Sequence, residues 1–264
     1  MIFVTGDTHG RNDIAKLSIE KFPIQKELTK NDYVIIDGDF GGIFYGRDYV
    51  DKTLKKSGLS KKDFSLFELT LMDKDSATLS FYETRNFTTL FVDGNHENFE
   101  DLNKYPIEYW NGGKVHKIRD KIYHLMRGQV YIIDGKKIFV MGGGTSIDKH
   151  LRVEGESWWK EEMPSMEEYN EALDNLEKHN YEVDYVLTHS APRNILYSIN
   201  PYYQSDALNN FLYSLVRTSL FETKKENERN NVLKYKHWYI GHYHIDKKID
   251  DKHTVLFNDV VELI

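Results

Sequence analysis

Val130-Tyr131-Ile132-Ile133-Asp134-Gly135-Lys136-Lys137-Ile138-Phe139-Val140-Met141 holds two apolar runs on either side of an Asp-Gly pair. Asp-Gly favours the two-residue type I′ turn, which needs positive φ at both central positions and joins antiparallel strands. The stretch therefore predicts a hairpin over residues 130–133 and 137–141. Outward from it, short β-rich runs recur at residues 2–5, 33–37, 88–92, 114–118, 184–188, 237–240, 254–257 and 260–263. Helical patterns fall between them at residues 13–21, 49–56, 63–71, 165–178 and 206–221, the fourth opened by Pro164-Ser165 with Glu167 and Glu168 in its first turn. Such alternation is an α/β pattern. An antiparallel hairpin inside it fits poorly with a purely parallel doubly wound sheet. A mixed sheet, or two packed mixed sheets with outer helices, fits well.

The chain has 264 residues, enough for one large core, and 40% of them are hydrophobic, which excludes a disordered chain. A formal charge of −7 argues against a protein that grips duplex nucleic acid through a basic surface, because phosphate neutralisation needs clustered Lys and Arg. Cysteine is absent, so disulfides, thiolate metal sites and a cysteine nucleophile are all excluded. Any bound metal must be held through oxygen and nitrogen. Ile-Phe-Val-Thr directly after Met1 reads as a strand rather than a signal peptide, and no run approaches the ~18 apolar residues of a membrane span. The expectation is a cytoplasmic protein with no membrane contact. Residues 47–85 read as a helical excursion and 143–164 as a long loop within a single domain spanning 1–264.

Five short segments carry chemistry: Gly6-Asp7-Thr8-His9-Gly10, Gly38-Asp39-Phe40, Gly94-Asn95-His96-Glu97, Thr188-His189 and Gly241-His242-Tyr243-His244. Each follows a predicted strand, and four place glycine immediately before a donor, where the backbone can turn sharply and approach an ion closely. Singly, each is an ordinary turn or a lone histidine. Together they supply two carboxylates, one amide and four imidazoles, enough for two ions. Two metals about 3.5–4 Å apart need a bridging ligand, and the Asp39 carboxylate is the best candidate.

The order D-x-H, G-D, G-N-H-[DE], H, G-H-x-H resembles the calcineurin-like metallophosphoesterases, and the blocks run from Asp7 to His244. The resemblance implies a four-layer α/β/β/α sandwich of two mixed β-sheets flanked by helices. It implies one divalent ion on Asp7, His9, Asp39 and His244, and a second on Asp39, Asn95, His189 and His242. Either Mn, Fe or Zn suits such O/N sites. His96 is implied as the group that stabilises or protonates the leaving oxygen. The two ions would acidify a bridging water and neutralise phosphate, so a phosphomonoester or small phosphodiester is hydrolysed without a protein nucleophile. The alternatives are a phosphoprotein phosphatase, a nuclease-type phosphodiesterase, or a metal-binding scaffold without catalysis.

One departure bears on the target. The phosphoprotein-phosphatase branch continues its second block as G-D-x-V-D-R-G, with an Asp that orients the histidine and an Arg that grips phosphate. Here the block reads Gly38-Asp39-Phe40-Gly41-Gly42-Ile43. This favours a small phosphorylated substrate over a phosphoprotein, and Arg11 and Arg47 are the candidates for contacts to phosphate oxygens. The Gly142-Gly143-Gly144 run reads as a turn, with an anion-binding nest as the alternative. Residues 146–164, with Asp148, Arg152, Trp158 and Trp159, read as a loop anchored by its indoles, with a substrate-selecting rim whose Trp stacks on a base or sugar as the alternative.

Overall fold

The structure, a computed structural model, describes residues 1–46, 48–65, 69, 72–217 and 232–264. Thirteen strands form among these: β1 Ile2–Thr5, β2 Tyr33–Asp37, β3 Thr88–Val92, β4 Ile107–Trp110, β5 Gly113–Arg119, β6 Ile122–Leu125, β7 Gln129–Ile133, β8 Lys136–Met141, β9 Tyr185–Thr188, β10 His237–Ile240, β11 Lys247–Lys248, β12 His253–Val255 and β13 Val260–Glu262. The helices are α1 Tyr49–Lys56, α2 Lys74–Glu83, α3 Phe99–Leu102, α4 Met166–Lys178, α5 Arg193–Ile199 and α6 Ala207–Val216.

The strands make two mixed sheets, ordered β13-β1-β2-β3-β6-β5-β4 and β11-β12-β10-β9-β8-β7. In the first, β1, β2, β3 and β6 run parallel, with antiparallel strands outside them. In the second, β12, β10, β9 and β8 run parallel, and β11 and β7 close the edges antiparallel. The hairpin that decided the reading is β7–β8, pairing Ile133 with Lys136. Asp134 and Gly135 sit at φ 48° and 75°, the left-handed values a type I′ turn requires.

Period-two alternation distributes the core over three interfaces. Ile2, Val4, Ile35, Leu90 and Val92 from the first sheet meet Ile138, Val140, Tyr185 and Leu187 from the second. The intervening residues Phe3, Val34, Ile36 and Phe91 face outward onto a layer that includes Leu17, Leu79 and Tyr82. On the far side, Phe139, Met141, Val186, Trp238 and Ile240 pack against Ala172 and Leu176 of α4 and Leu208, Leu212 and Leu215 of α6. This is the α/β/β/α sandwich expected from the motifs. Strands buried on both faces explain why the apolar runs are continuous rather than alternating with polar residues.

Several local expectations change. Residues 13–21 form no α-helix: a 3-10 turn covers Ile14–Leu17, Ser18 is extended, and Pro23 opens a second 3-10 turn. Lys16 explains the tight turn, since its ammonium is drawn inward to the carbonyls of Gly6, Asp7 and Phe257. The helix expected at 63–71 falls largely outside the described residues, as does the end of the one expected at 206–221. Strands β4 and β6 and helices α2 and α5 carry weak patterns: β4 is an exposed edge, β6 includes the buried His124, and α2 buries little beyond Thr78, Leu79 and Tyr82. Among the described residues no helix is long and apolar enough to cross a membrane.

Candidate metal centre

Five parallel strands end at one rim. Asp7 follows β1, Asp39 follows β2, Asn95 follows β3, His189 follows β9, and His242 and His244 follow β10. Since β1, β2 and β3 are neighbours in one sheet and β9 and β10 in the other, the five loops face each other across the sandwich. Crevices at the carboxyl ends of parallel strands are where open α/β sheets bind ligands.

The loops are fastened to each other before they reach any ligand. The Thr8 and His9 amides donate to the Asp39 carbonyl at 3.1 and 2.8 Å. The His96 amide donates to Asp39 Oδ1 at 2.7 Å, and the His242 amide to Asp7 Oδ1 at 3.0 Å. Glu97, fully buried, accepts from the Phe40 and Gly41 amides at 2.7 and 3.3 Å and so holds the turn after Asp39. His9, Asp39, His242 and His244 all have positive φ, at 42°, 43°, 71° and 51°. Left-handed backbone costs a non-glycine residue roughly 1–2 kcal/mol, and here it clusters on candidate donors. The glycines before the donors serve a purpose beyond turning. A Cβ on Gly38 would lie 1.7 Å from His189 Nδ1, and one on Gly94 would lie 2.1 Å from Asp39 Oδ1. They make room for one another's donors.

Donor atoms of Asp7, His9, Asp39 and His244 lie within 4.8 Å of one another, and so do those of Asp39, His189 and His242. The two groups share Asp39. Asn95 joins the second, its Oδ1 3.2 Å from His189 Nε2 and its amide nitrogen donating to Ser146 Oγ at 3.1 Å. All seven residues singled out in the sequence are thus brought together. Asp13, which sequence reasoning missed, holds His9 Nδ1 at 2.8 Å and leaves Nε2 facing Asp39 Oδ2 at 3.3 Å. A carboxylate behind an imidazole fixes its orientation and raises its basicity.

Charge confirms how unbalanced the bare site is. Burial opposes ionisation of Asp39, but the His189 and His9 imidazoles outweigh it and hold the carboxyl well below its usual range. Burial likewise opposes protonation of His189 and His9, yet Asp39 and Asp7 raise them to about 10 and about 9. His242 is pushed down to about 4 by desolvation and by the neighbouring His189. Asp7 Oδ2 is buried without a hydrogen-bond donor, with His244 Nε2 3.1 Å away. Buried carboxylate oxygens this poorly satisfied, surrounded by imidazoles in strained turns, fit two divalent cations that prefer oxygen and nitrogen donors. Asp37, also buried and without a donor to either oxygen, has its pKa raised well above the usual carboxylate value by burial.

His96 stands beside the donors, its ring 5.3 Å from that of His9. Against its other side lies Arg152 from the long loop, with Nη1 3.2 Å from His96 Nδ1 and Nη2 3.4 Å from Nε2. The guanidinium is aimed by Asp148, which accepts from Nε and Nη2 at 2.7 and 2.8 Å, and by the Ser157 carbonyl at 3.1 Å. Desolvation lowers the His96 pKa; Asp39 pulls it up, Arg152 pushes it down, and the net shift is downward. Arg152 is absent from the residues that sequence placed near phosphate. Of those, Arg11 lines a cleft with His9 and His96, and Arg47 lies outside the described residues. Trp159 anchors the loop as expected, 4% exposed and edge-on to Phe44 at 5.9 Å. The triple-glycine turn is no anion nest. Gly143 and Gly144 donate their amides to Asp93 and Glu162, and a Cβ at Gly144 would sit 3.1 Å from His189 Cδ2.

Two carboxylate–imidazole groups at strand ends, sharing one carboxylate, could each hold a metal ion. The chain belongs to the calcineurin-like phosphoesterases, whose family profile matches residues 1–246. Members of this family bind divalent metals and hydrolyse phosphoesters. No curated protein matches the chain.

Proposed function

We propose that the protein hydrolyses a phosphomonoester or small phosphodiester, working as one domain over residues 1–264. Asp7, His9, Asp39 and His244 would hold one divalent cation, and Asp39, Asn95, His189 and His242 the other. Bound there, Mn, Fe or Zn supplies Lewis acidity that acidifies water and neutralises phosphate charge. The chain's own residues do the rest. Asp13, Ser146 and Glu97 keep the donors and their turns aligned. Arg152, fixed by Asp148, offers its remaining N–H groups to the oxygens of the reacting phosphate. His96 hands a proton to the leaving oxygen: a phosphate anion bound beside it brings negative charge close to the imidazole and raises its pKa towards the working range.

The observation that carries this reading is the pair of donor groups sharing Asp39, with His96 beside them and Arg152 against its ring nitrogens. The test is turnover of p-nitrophenyl phosphate and bis(p-nitrophenyl) phosphate by protein loaded with Mn²⁺, Fe²⁺ or Zn²⁺. Rates no higher than metal-only blanks with all three would sink it. A second reading has one observation in its favour. Ile147, Leu151 and Val153 flank Arg152 and are 89%, 78% and 56% exposed, an apolar lip that a phosphopeptide would fit. Faster turnover of a phosphopeptide than of the nitrophenyl esters would decide for it.

A further inference from the structure

A cleft of about 540 Å³ opens beside the donors, bounded at its inner end by His9 and His96. Among the described residues no carboxylate lines it, although the chain carries 42 Asp and Glu against 35 Lys and Arg. Instead its walls present Arg11, Asn12 and Lys74. The Arg11 side chain makes no hydrogen bond or ion pair among the described residues, so its full fork of donors is unspent. This is a local reversal of charge sign in an acidic protein, and a concave surface of one sign raises the local concentration of the opposite ion.

The same cleft has an aromatic wall. Phe44 and Tyr45 line it, their rings 5.4 Å apart and edge to face. Lys74 Nζ lies 4.5 Å over the Tyr45 ring and 3.2 Å from its hydroxyl, which places a cation at the edge of that wall. The backbone beneath is pinned. The Phe44, Tyr45 and Gly46 amides all donate to the Asp75 carboxylate, at 3.1, 3.2 and 2.9 Å. Asp75 is spent on those amides and does not line the cleft. The wall is therefore in place before a ligand arrives, which lowers the ordering cost of binding.

A general acid stands on the leaving-group side of phosphorus, since it must deliver its proton to the departing oxygen. A cleft lined by His96 thus receives the leaving group, while Arg152, which touches that ring but does not line the cleft, serves the reacting phosphate. We propose that this cleft selects phosphoesters whose leaving group carries a planar ring and an anionic charge of its own, the ring lying on Phe44 and Tyr45 and the anion on Arg11 and Lys74. The proposal rests on the hydrolase reading above for which end of the substrate enters. Aromatic surface and an unpaired guanidinium in one concavity suit a ring that bears a charged substituent, and neither alone would require both features.

The test uses three substrates that share a primary 5′ ester oxygen, turned over by the metal-loaded full-length protein: ribose 5-phosphate, adenosine 5′-phosphate and adenosine 3′,5′-bisphosphate. The expected kcat/KM rises at each step, mainly through KM, by about tenfold for the added phosphate, as a charge-assisted contact provides. Arg11→Ala and Lys74→Ala should each shrink that advantage, and Phe44→Leu should shrink the advantage of the ring. Equal kcat/KM across the three substrates overturns the proposal. A binding measurement keeps it decidable without turnover. Adenosine 3′-phosphate, the leaving group freed of the reacting phosphate, should bind more tightly than adenosine by calorimetry, and Arg11→Ala should erase the difference. Unchanged preference in that variant places the anion elsewhere and overturns the proposal. Selective binding with no turnover of any ester strikes the hydrolase reading instead and leaves the subsite standing.

Discussion

The rim of strand ends and the loop over residues 143–164 meet at His96, yet they are built in opposite ways. On the rim, every donor sits within three residues of a strand end or of another donor, and its position is set by backbone turns, several of them left-handed. The loop has only two short 3-10 turns, Lys149–Leu151 and Lys160–Glu162, and delivers Arg152 through side-chain contacts with Asp148 and Ser157. On the proposed reading, metal chemistry rests on rigid sheet ends, where small displacements are resisted by the core, and substrate grip on a segment free to vary in length and sequence.

Substitutions on either side probe this contrast, the largest effect first. Asp39→Asn keeps a residue that tolerates the left-handed turn while removing the shared carboxylate. We expect metal content to collapse and kcat/KM to fall by more than about 10³-fold, the loss of metal catalysis as such; full metal occupancy by elemental analysis would show that Asp39 is not shared. His96→Ala should retain both metals and lose about 10²–10⁴-fold in kcat, the usual worth of a positioned acid. Equal loss of metal would move His96 from the chemistry to the scaffold. Arg152→Ala should keep the metals and lower kcat/KM about tenfold to a hundredfold through a charge-assisted contact. Asp148→Asn should act in the same direction and less strongly, because it loosens the guanidinium without removing it. If Arg152→Ala instead disturbed metal binding, rim and loop would be one unit and the contrast would fail.

The smallest effect is a count of protons. In the metal-free protein His189 and His9 have folded pKa values raised to about 10 and about 9, so both are protonated at neutral pH. Protonation stabilises the metal-free fold fully below their unfolded pKa and ceases to do so as pH rises through about 9 to 10. Cations can bind only when these protons leave. Metal uptake at pH 7 should therefore release about two protons and tighten as pH rises. Calorimetry in buffers of different ionisation enthalpy measures this, and a release near zero would contradict the charge balance described for the rim.

The contrast also explains what could be read from the chain. Asp7, His9, Asp39, Asn95, His189, His242 and His244 were legible because a strand end and a donor are close in sequence, with a glycine directly before the donor in four of the five segments, and parallel strands bring such ends to one rim. The hairpin at Asp134-Gly135 was legible for the same local reason. Arg152 was not: its partner His96 lies 56 residues away, and no spacing rule links an arginine in an irregular loop to a histidine after β3. Nor was α2, whose small polar residues give little periodicity although Thr78, Leu79 and Tyr82 are buried. Lys16 would read as a solvated lysine, and only the three carbonyls converging on it explain why it is 2% exposed.

Lys16 carries one further consequence. Its ammonium joins the carbonyls of Gly6 and Asp7 to that of Phe257, which lies 241 residues further along the chain. During synthesis the first loop thus waits until Phe257 has been made before its clasp can close. A ribosome-bound fragment ending before Phe257 would hold the earlier donors without that clasp, so competence to capture metal should emerge late and abruptly as the nascent chain lengthens.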